Sequence, residues 1–285
     1  MNHFVSLAFT AKSPRTHKLA LSSIALMSLF LMSCSTVHAH LTYDFKHDSK
    51  DGRLLYEDGA ETTVSRIAER FETYIQQVEK SQFSKFKDSS KIKVYFFDDH
   101  LRYLKFTTSS ALGSAAFKKA FISLPKISEH QSTDLCKNEA CPETVDGILL
   151  HELSHLHLRQ HLGVWRSYTV PKWFHEGLAT LVSGGAGAGL VSEEGSKKRI
   201  LAGSHFVPAD KRIRFGSKTV GDLYPGTFRF NHQAQMFVEF LRNRNGPAFQ
   251  KSLEEIIAGH KFRTVWTSNY GANISDLWVE FTDSL

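Results

Sequence analysis

Two stretches of the sequence decide the fold: DGILLHELSHLHLRQHLG at 146–163 and PKWFHEGLATLV at 171–182. Apolar residues recur in both at the spacing of a buried helix. We therefore expect one helix that begins near Pro142 and ends at Gly163, and a second that begins at Pro171. The short connection between them allows the two helices to pack antiparallel.

The first stretch contains the pattern His-Glu-Leu-Ser-His. His151 and His155 are four residues apart, so both imidazoles project from nearly the same face of a helix. Two imidazoles at this spacing can bind one zinc ion, and a catalytic zinc site has three protein ligands and keeps one position for water. Glu152 adjoins the first ligand and is placed to act as general base toward that water. An apolar helix would otherwise bury these polar groups at a high cost.

Two residues are candidates for the third ligand, His161 and Glu176. His161 falls where the metzincin pattern has its last histidine, but that pattern needs a glycine where this chain has Leu158. Without the turn that the glycine allows, His161 lies on a different face of the helix from His155. Glu176 lies near the start of the second helix and completes a set of two histidines and one glutamate, so we favour Glu176. His157 and His161 are then expected to be solvent or core histidines, and His175 an outer-shell or surface residue.

The pairing of HELSH with Trp-Phe-His-Glu-Gly-Leu-Ala resembles the gluzincin zinc metallopeptidases, specifically the bacterial peptidase MA-like group. The resemblance covers roughly residues 62–285. It implies a zincin-like fold, Zn²⁺ bound by His151, His155 and Glu176, and Glu152 as the catalytic base. It also implies a peptide or protein substrate.

One feature of that family has no clear counterpart in this chain. Many gluzincins place a tyrosine or histidine on a C-terminal helix, where it stabilises the oxyanion. The segment 228–241 resembles this helix, but Asn231 falls at the tyrosine position. His232 and Tyr224 are the alternatives, and a core or solvent role is an equal alternative for each. A membrane-tethered binding protein with the zincin scaffold and little or no catalysis is therefore the second functional hypothesis.

The N-terminus predicts export. Three basic residues precede an apolar run of Leu19 to Ser33, which is too short to span a bilayer comfortably. Leu31 to Cys34 resembles a bacterial lipobox, and Val37 to Ala39 resembles an ordinary cleavage site. We expect an export signal over 1–33, a lipid anchor on Cys34 and a tether over 34–61. The protein would then lie in the cell envelope, facing the periplasm or the extracellular side; without the anchor it would be periplasmic or secreted.

The cysteines and the charge add two smaller expectations. Cys136 and Cys141 can close a small disulfide loop in an oxidising compartment, and two free thiols are the alternative. The net charge is +6, but three basic residues belong to the signal, and basic blocks with interleaved aromatic residues are missing from the sequence. Nucleic acid is therefore not an expected partner.

The remaining pattern predicts an α+β domain with a small mixed sheet, an active-site helix and a helical C-terminal half. Helical spacing is found over about 62–80, with a capped short helix after Asp98 and Asp99. Strands are expected at 91–97 and within 115–125. Further helices are expected at 234–243, 247–259 and 274–281. The glycine-rich segment 183–189 is interpreted as a surface linker, with a mobile lid as the alternative.

Overall fold

The computed structural model describes residues 43–48, 50–107, 109–116, 118–133, 141–189, 191–208 and 226–285. The signal, Cys34, Cys136 and Tyr224 lie outside the described residues. The unit that starts at Asp44 is an α+β domain, as predicted. Its strands are β1 Lys46–His47, β2 Leu54–Tyr56, β3 Lys93–Phe97, β4 Gly113–Ala116 and β5 Lys119–Ser123.

The helices of the described part are interspersed with the strands in the first half and follow one another in the second half. They are α1 Glu61–Ala68, α2 Phe71–Ser81, α3 His100–Thr107, α4 Leu124–Gln131, α5 Val145–Ser167, α6 Lys172–Val182, α7 Glu193–Leu201, α8 Gly226–Arg244, α9 Gly246–Ile257, α10 Phe262–Tyr270 and α11 Ile274–Asp283. The predicted helical C-terminal half is therefore confirmed.

The sheet is small and mixed, with the strand order β1-β2-β3-β5-β4. β3 is parallel to both β2 and β5, whereas the edge strands β1 and β4 are antiparallel to their neighbours. Val94, Phe96 and Ile122, in the two central strands, are fully buried. β4 is an edge strand, so one of its sides is not paired with another strand of the part of the chain that the structure describes.

The second half of the predicted tether is wrong. Lys46–His47 and Leu54–Tyr56 form β1 and β2, and Leu54 is fully buried in the core. These strands are only two and three residues long, and such short segments do not show the alternation that identifies a strand in sequence. The folded unit begins at Asp44, not at residue 62.

Several predicted elements are confirmed with shifted boundaries. The helix expected over 62–80 is two helices, Glu61–Ala68 and Phe71–Ser81, and the strand within 115–125 is the hairpin of β4 and β5. The carboxylate of Asp99 accepts hydrogen bonds from the backbone N–H groups of Leu101 and Arg102, so the predicted capping of α3 is also present.

The two helices of the motif have the predicted order. The hydroxyl of Thr144 accepts a hydrogen bond from Gly147 and starts α5, three residues after Pro142. Gly163 has a φ of 69°, so the regular helix is interrupted at this residue as expected. Pro171 is the N-cap of α6, whose buried residues include Trp173 and Phe174. These aromatic rings fix α6 against the C-terminal helices, through contacts with Phe262 in particular.

Candidate metal centre

Two imidazoles meet on one face of α5. The Nε2 atoms of His151 and His155 are 3.2 Å apart, and the two rings are nearly perpendicular. Both side chains are largely buried, with exposures of 7% and 12%. The spacing of four residues therefore brings two nitrogen ligand atoms to one point, as the sequence predicts.

Glu176 reaches the same point from the second turn of α6. Its Oε2 atom lies 3.4 Å from Nε2 of His151 and 3.7 Å from Nε2 of His155. The three ligand atoms all lie within 4.8 Å of one another, and among the described residues this is the only such group of three or more. Two imidazoles and one carboxylate are a ligand set that zinc uses in catalytic sites.

The pKa values of His151 and Glu176 reflect the attraction between their opposite charges. Burial lowers the pKa of His151, but the hydrogen bond to Glu176 and the charges of Glu152 and Glu176 raise it to about 9. Burial acts against the charge of Glu176, yet its contacts with the two histidines hold the pKa of this carboxyl well below its usual range. The carboxylate is thus charged and, without a metal, pairs with a proton held by His151; a divalent cation would take the place of that proton, because histidine binds metals in its neutral form.

The orientation of His151 is fixed by a backbone carbonyl. Its Nδ1 lies 3.0 Å from the carbonyl oxygen of Ala186. Because a carbonyl only accepts, Nδ1 carries a proton and donates, so Nε2 is the nitrogen that faces Glu176 and that can bind a metal once it is deprotonated. Metal-binding histidines commonly have such a partner on the second ring nitrogen. The three residues therefore fit a zinc ion in the orientation of His151 as well as in composition.

The glycine-rich segment is part of this site, and its interpretation as a surface linker is wrong. Ala186 and Ala188 are buried, and the N–H groups of Gly187 and Gly189 each donate to one carboxylate oxygen of Glu143, at 2.9 Å. Asn231 donates from Nδ2 to the carbonyl of Gly187 at 3.1 Å. The high glycine content of 183–189 is typical of a mobile segment, but here the lack of side chains allows the backbone to approach His151 closely.

Glu143 and Asn231 are site residues that sequence reasoning missed in this role. Glu143 is fully buried, and burial raises the pKa of its carboxyl despite the two backbone hydrogen bonds. In the sequence, Asn231 stands out only as the residue at the position of the gluzincin tyrosine. Neither residue has a ligand-like spacing to the HELSH motif, so the sequence carries no signal for their contact with the loop.

Glu152 lies beside the ligands and next to β4. Only 5% of the residue is exposed, and burial together with the charge of Glu176 raises its pKa to about 7, against the opposing charge of His151. A side chain at Gly113 would come within 2.8 Å of Oε1, so the absence of a side chain there makes room for this carboxyl. A carboxyl with a pKa near neutrality suits proton transfer in both directions.

The other histidines of the motif region face away from the ligands. His157 is buried and donates from Nε2 to the carbonyl of Ser84 at 2.9 Å, while His161 donates to the carbonyl of Lys85 at 2.8 Å. Burial lowers the pKa of His157 to about 4. The structure thus gathers Glu176 with His151 and His155, and it directs His161 to another contact.

His175 is near the site without belonging to the trio. Its ring centre is 6.2 Å from that of His155, and its Nε2 donates to the carbonyl of Ser167 at 2.9 Å. This position agrees with the outer-shell alternative.

Of the oxyanion candidates, His232 has its Nδ1 2.8 Å from the hydroxyl of Ser196. Asn231 lies across Gly187 from His151.

The chain matches no family model and no curated protein. Cys141 is in a disulfide, and the other two cysteines of the chain lie outside the described residues. Within the described ranges, none of the helices combines the length and the apolar character that crossing a bilayer requires. Because neither comparison finds a match, the functional proposal depends on the geometry of the site.

Proposed function

We propose that the chain is an exported zinc-dependent metallopeptidase with a gluzincin-like site on a zincin-like fold, which hydrolyses peptide bonds in a peptide or protein substrate. The observation that carries the proposal is the convergence of His151, His155 and Glu176 within 4.8 Å, beside the buried carboxyl of Glu152. A bound zinc ion supplies a Lewis acid that polarises a water molecule and the scissile carbonyl.

The residues of the chain supply proton transfer and substrate alignment in this proposal. Glu152 takes a proton from the attacking water and passes it to the leaving amine. Glu152 lies against Gly113, the first residue of the edge strand β4. An extended peptide can pair with the open side of such a strand, which would bring its backbone past Glu152. This arrangement favours a peptide over other hydrolysable substrates.

The test is metal analysis of the purified mature protein combined with a peptidase assay. We expect about one zinc ion per chain, lost in His155→Ala and Glu176→Ala and retained in the matched control His161→Ala, because His161 contacts Lys85 instead. Glu152→Gln should keep the zinc and lower kcat/KM by about 10²–10⁴-fold. A protein without zinc, or full activity in Glu152→Gln, would contradict the proposal.

A second candidate is a zinc-binding protein of the same fold with little or no catalysis. The observation that favours it is Asn231, whose side chain is buried and donates to Gly187 at the place where a gluzincin has its oxyanion residue. The same experiment separates the two: this candidate predicts zinc binding without turnover in the wild-type protein.

Export and lipid anchoring belong to the proposal as a separate step. Mass spectrometry of the mature N-terminus should find a modified Cys34. A free terminus at His40 would instead indicate a periplasmic or secreted protein.

A further inference from the structure

Arg159 is a charged residue of the candidate site to which the proposed function gives no role. It follows His155 by one turn of α5 and therefore lies on the same face as Glu152 and His155. Its side chain is part-buried, and Nη1 donates a hydrogen bond to the backbone carbonyl of Ala115 in β4.

The hydrogen-bond pattern of the hairpin shows which side of β4 Arg159 contacts. Leu112 accepts from the N–H of Ser123, its partner in the hairpin. Backbone groups alternate in direction along an antiparallel strand, so those of Gly113 and Ala115 point to the unpaired side. Glu152 packs at Gly113, and Arg159 at Ala115, two residues or about 7 Å further along the strand.

The charge of Arg159 is not neutralised by an ion pair within the described part of the chain, where its hydrogen bond to Ala115 is its one polar contact. A guanidinium has five N–H donors in a planar array that matches a carboxylate. One donor is used by Ala115, and the others remain for a ligand.

We infer that Arg159 binds a carboxylate of the substrate, within two residues of the scissile bond, and so makes the enzyme selective for acidic peptides. The inference rests on the proposed peptidase function and extends it to the substrate class. A peptide that pairs with β4 at Gly113 passes Glu152 and then reaches Arg159, which already occupies the carbonyl of Ala115. The carboxylate belongs either to an aspartate or glutamate side chain or to the C-terminus of the peptide.

Matched peptides test the inference in the full-length, zinc-loaded wild-type protein. One pair differs only by glutamate or glutamine at each of the two positions on either side of the cleaved bond. In a second pair the C-terminus lies within two residues of the cleaved bond, and the two peptides differ only in whether this C-terminus is free or amidated. We expect about tenfold higher kcat/KM for the carboxylate form of one pair, the size of a charge-assisted hydrogen bond. The pair that responds identifies the source of the carboxylate.

Substitutions at Arg159 connect the preference to this side chain. Arg159→Gln should reduce the preference to about one, Arg159→Glu should reverse it toward lysine peptides, and Arg159→Lys should keep part of it, since the charge remains without the planar donors. Arg166→Gln is the matched control, because Arg166 lies on the same helix and is exposed; it should leave the preference unchanged. A merely structural role of Arg159 at Ala115 would lower all rates equally.

The outcomes separate this inference from the proposed function. Peptide cleavage that needs Glu152 but shows no carboxylate preference overturns the role of Arg159 and leaves the peptidase intact. A preference that survives in Arg159→Gln would also overturn the role of Arg159 and leave the peptidase intact. Absence of any cleavage contradicts the peptidase, and binding then decides: zinc-loaded Glu152→Gln should bind the carboxylate form of one of the two peptide pairs about tenfold more tightly by calorimetry. Equal affinities would overturn the inference even if Arg159 variants fail to fold.

Discussion

Gly187 determines how closely the loop approaches the ligand histidine. Its φ is 89°, and an added Cβ would lie 2.8 Å from Cε1 of His151 and 3.3 Å from Nδ2 of Asn231. A side chain at this position requires the loop or the ring of His151 to shift, which disturbs the contact between Nδ1 of His151 and the carbonyl of Ala186. The orientation of this ligand therefore depends on a residue that has no functional group of its own.

Substituting Gly187 should weaken metal binding. We expect Gly187→Ala to lower the affinity for zinc by about 10–100-fold, the usual cost of losing a partner of a ligand histidine. Gly184→Ala is the matched control, because Gly184 also has a positive φ but no heavy atom within 4 Å of its added Cβ. Both substitutions place alanine at a positive φ. Competition with a chromogenic chelator measures the affinities, and equal losses in the two variants would exclude the steric explanation.

Buried Glu143 should make stability depend on pH. Burial raises the pKa of its carboxyl above the usual 4.5, so the folded chain binds more protons than the unfolded chain as the pH rises from that value to the folded pKa. The contribution of Glu143 to the free energy of unfolding is therefore fully present at lower pH and lost as the pH rises through the folded pKa.

Glu143→Gln tests this sign, because glutamine keeps an oxygen that accepts from Gly187 and Gly189 but does not ionise. Urea unfolding of the metal-free protein should show the variant gaining stability relative to the wild type as the pH rises from 4.5 toward neutrality. A difference between the two proteins that stays constant over this interval would contradict the expected shift.

Part of the site can be predicted from sequence at the scale of residues. His151, Glu152 and His155 follow from helical spacing, and Glu176 follows from its place at the start of the next helix. The contacts of Glu143, Asn231 and Ala186 cannot be predicted in this way, because they join segments that only the tertiary fold brings together. Polar groups without periodicity carry no information about their partners.

The contact between α6 and α8 sets the position of the carboxylate ligand at the scale of elements. Gly177 follows Glu176, and an added Cβ at this position would lie 2.5 Å from the carbonyl oxygen of Ala234 and 2.9 Å from Val238. The two helices are therefore in backbone contact at the residue next to the ligand. Any increase in their separation moves Glu176 relative to the histidines on α5.

Gly177→Ala should lower both stability and metal affinity. Alanine is the better helix former by up to about 1 kcal/mol, but overpacking at a closed contact costs about 1–3 kcal/mol, so we expect net destabilisation. Gly246→Ala is the control, since Gly246 begins α9 with nothing within 4 Å of its added Cβ; its stability should stay within about 0.5 kcal/mol of the wild type. Urea unfolding and zinc titration report the two effects, and unchanged zinc affinity would show that Glu176 tolerates the shift.

The sequence predicts elements well where apolar periodicity is long, as in α5, α6, α9 and α11. It fails for α4, α7 and α10, which are eight or nine residues long and have few buried positions. The break between α1 and α2 is also invisible in the sequence, because the buried residues keep helical spacing across it. Short elements take their structure from packing more than from their own pattern.

At the scale of the whole molecule, the N-terminal strand β2 is linked to the candidate site through the pairing of the strands in the sheet. β2 pairs with β3 over three residues, and β3 pairs with β5, which in turn pairs with β4 beside Glu152. Glu57 follows β2, is buried, and accepts hydrogen bonds from the N–H groups of Asp98 and Asp99 before α3. Residues 44–57 are therefore part of the support of the edge strand, although they lie far from the ligands in sequence.

A comparison of two truncated chains should show that this segment is structural. A chain that begins at Asp44 keeps all five strands, and we expect it to unfold cooperatively and to bind zinc. A chain that begins at Thr62 loses the fully buried Leu54 and Ala60 together with the pairing of β2 to β3. Loss of one buried leucine alone costs about 2–5 kcal/mol, which is a large part of the stability of a domain. Circular dichroism during heating and zinc titration compare the chains, and equal melting temperatures would mean that residues 44–61 act as a tether after all.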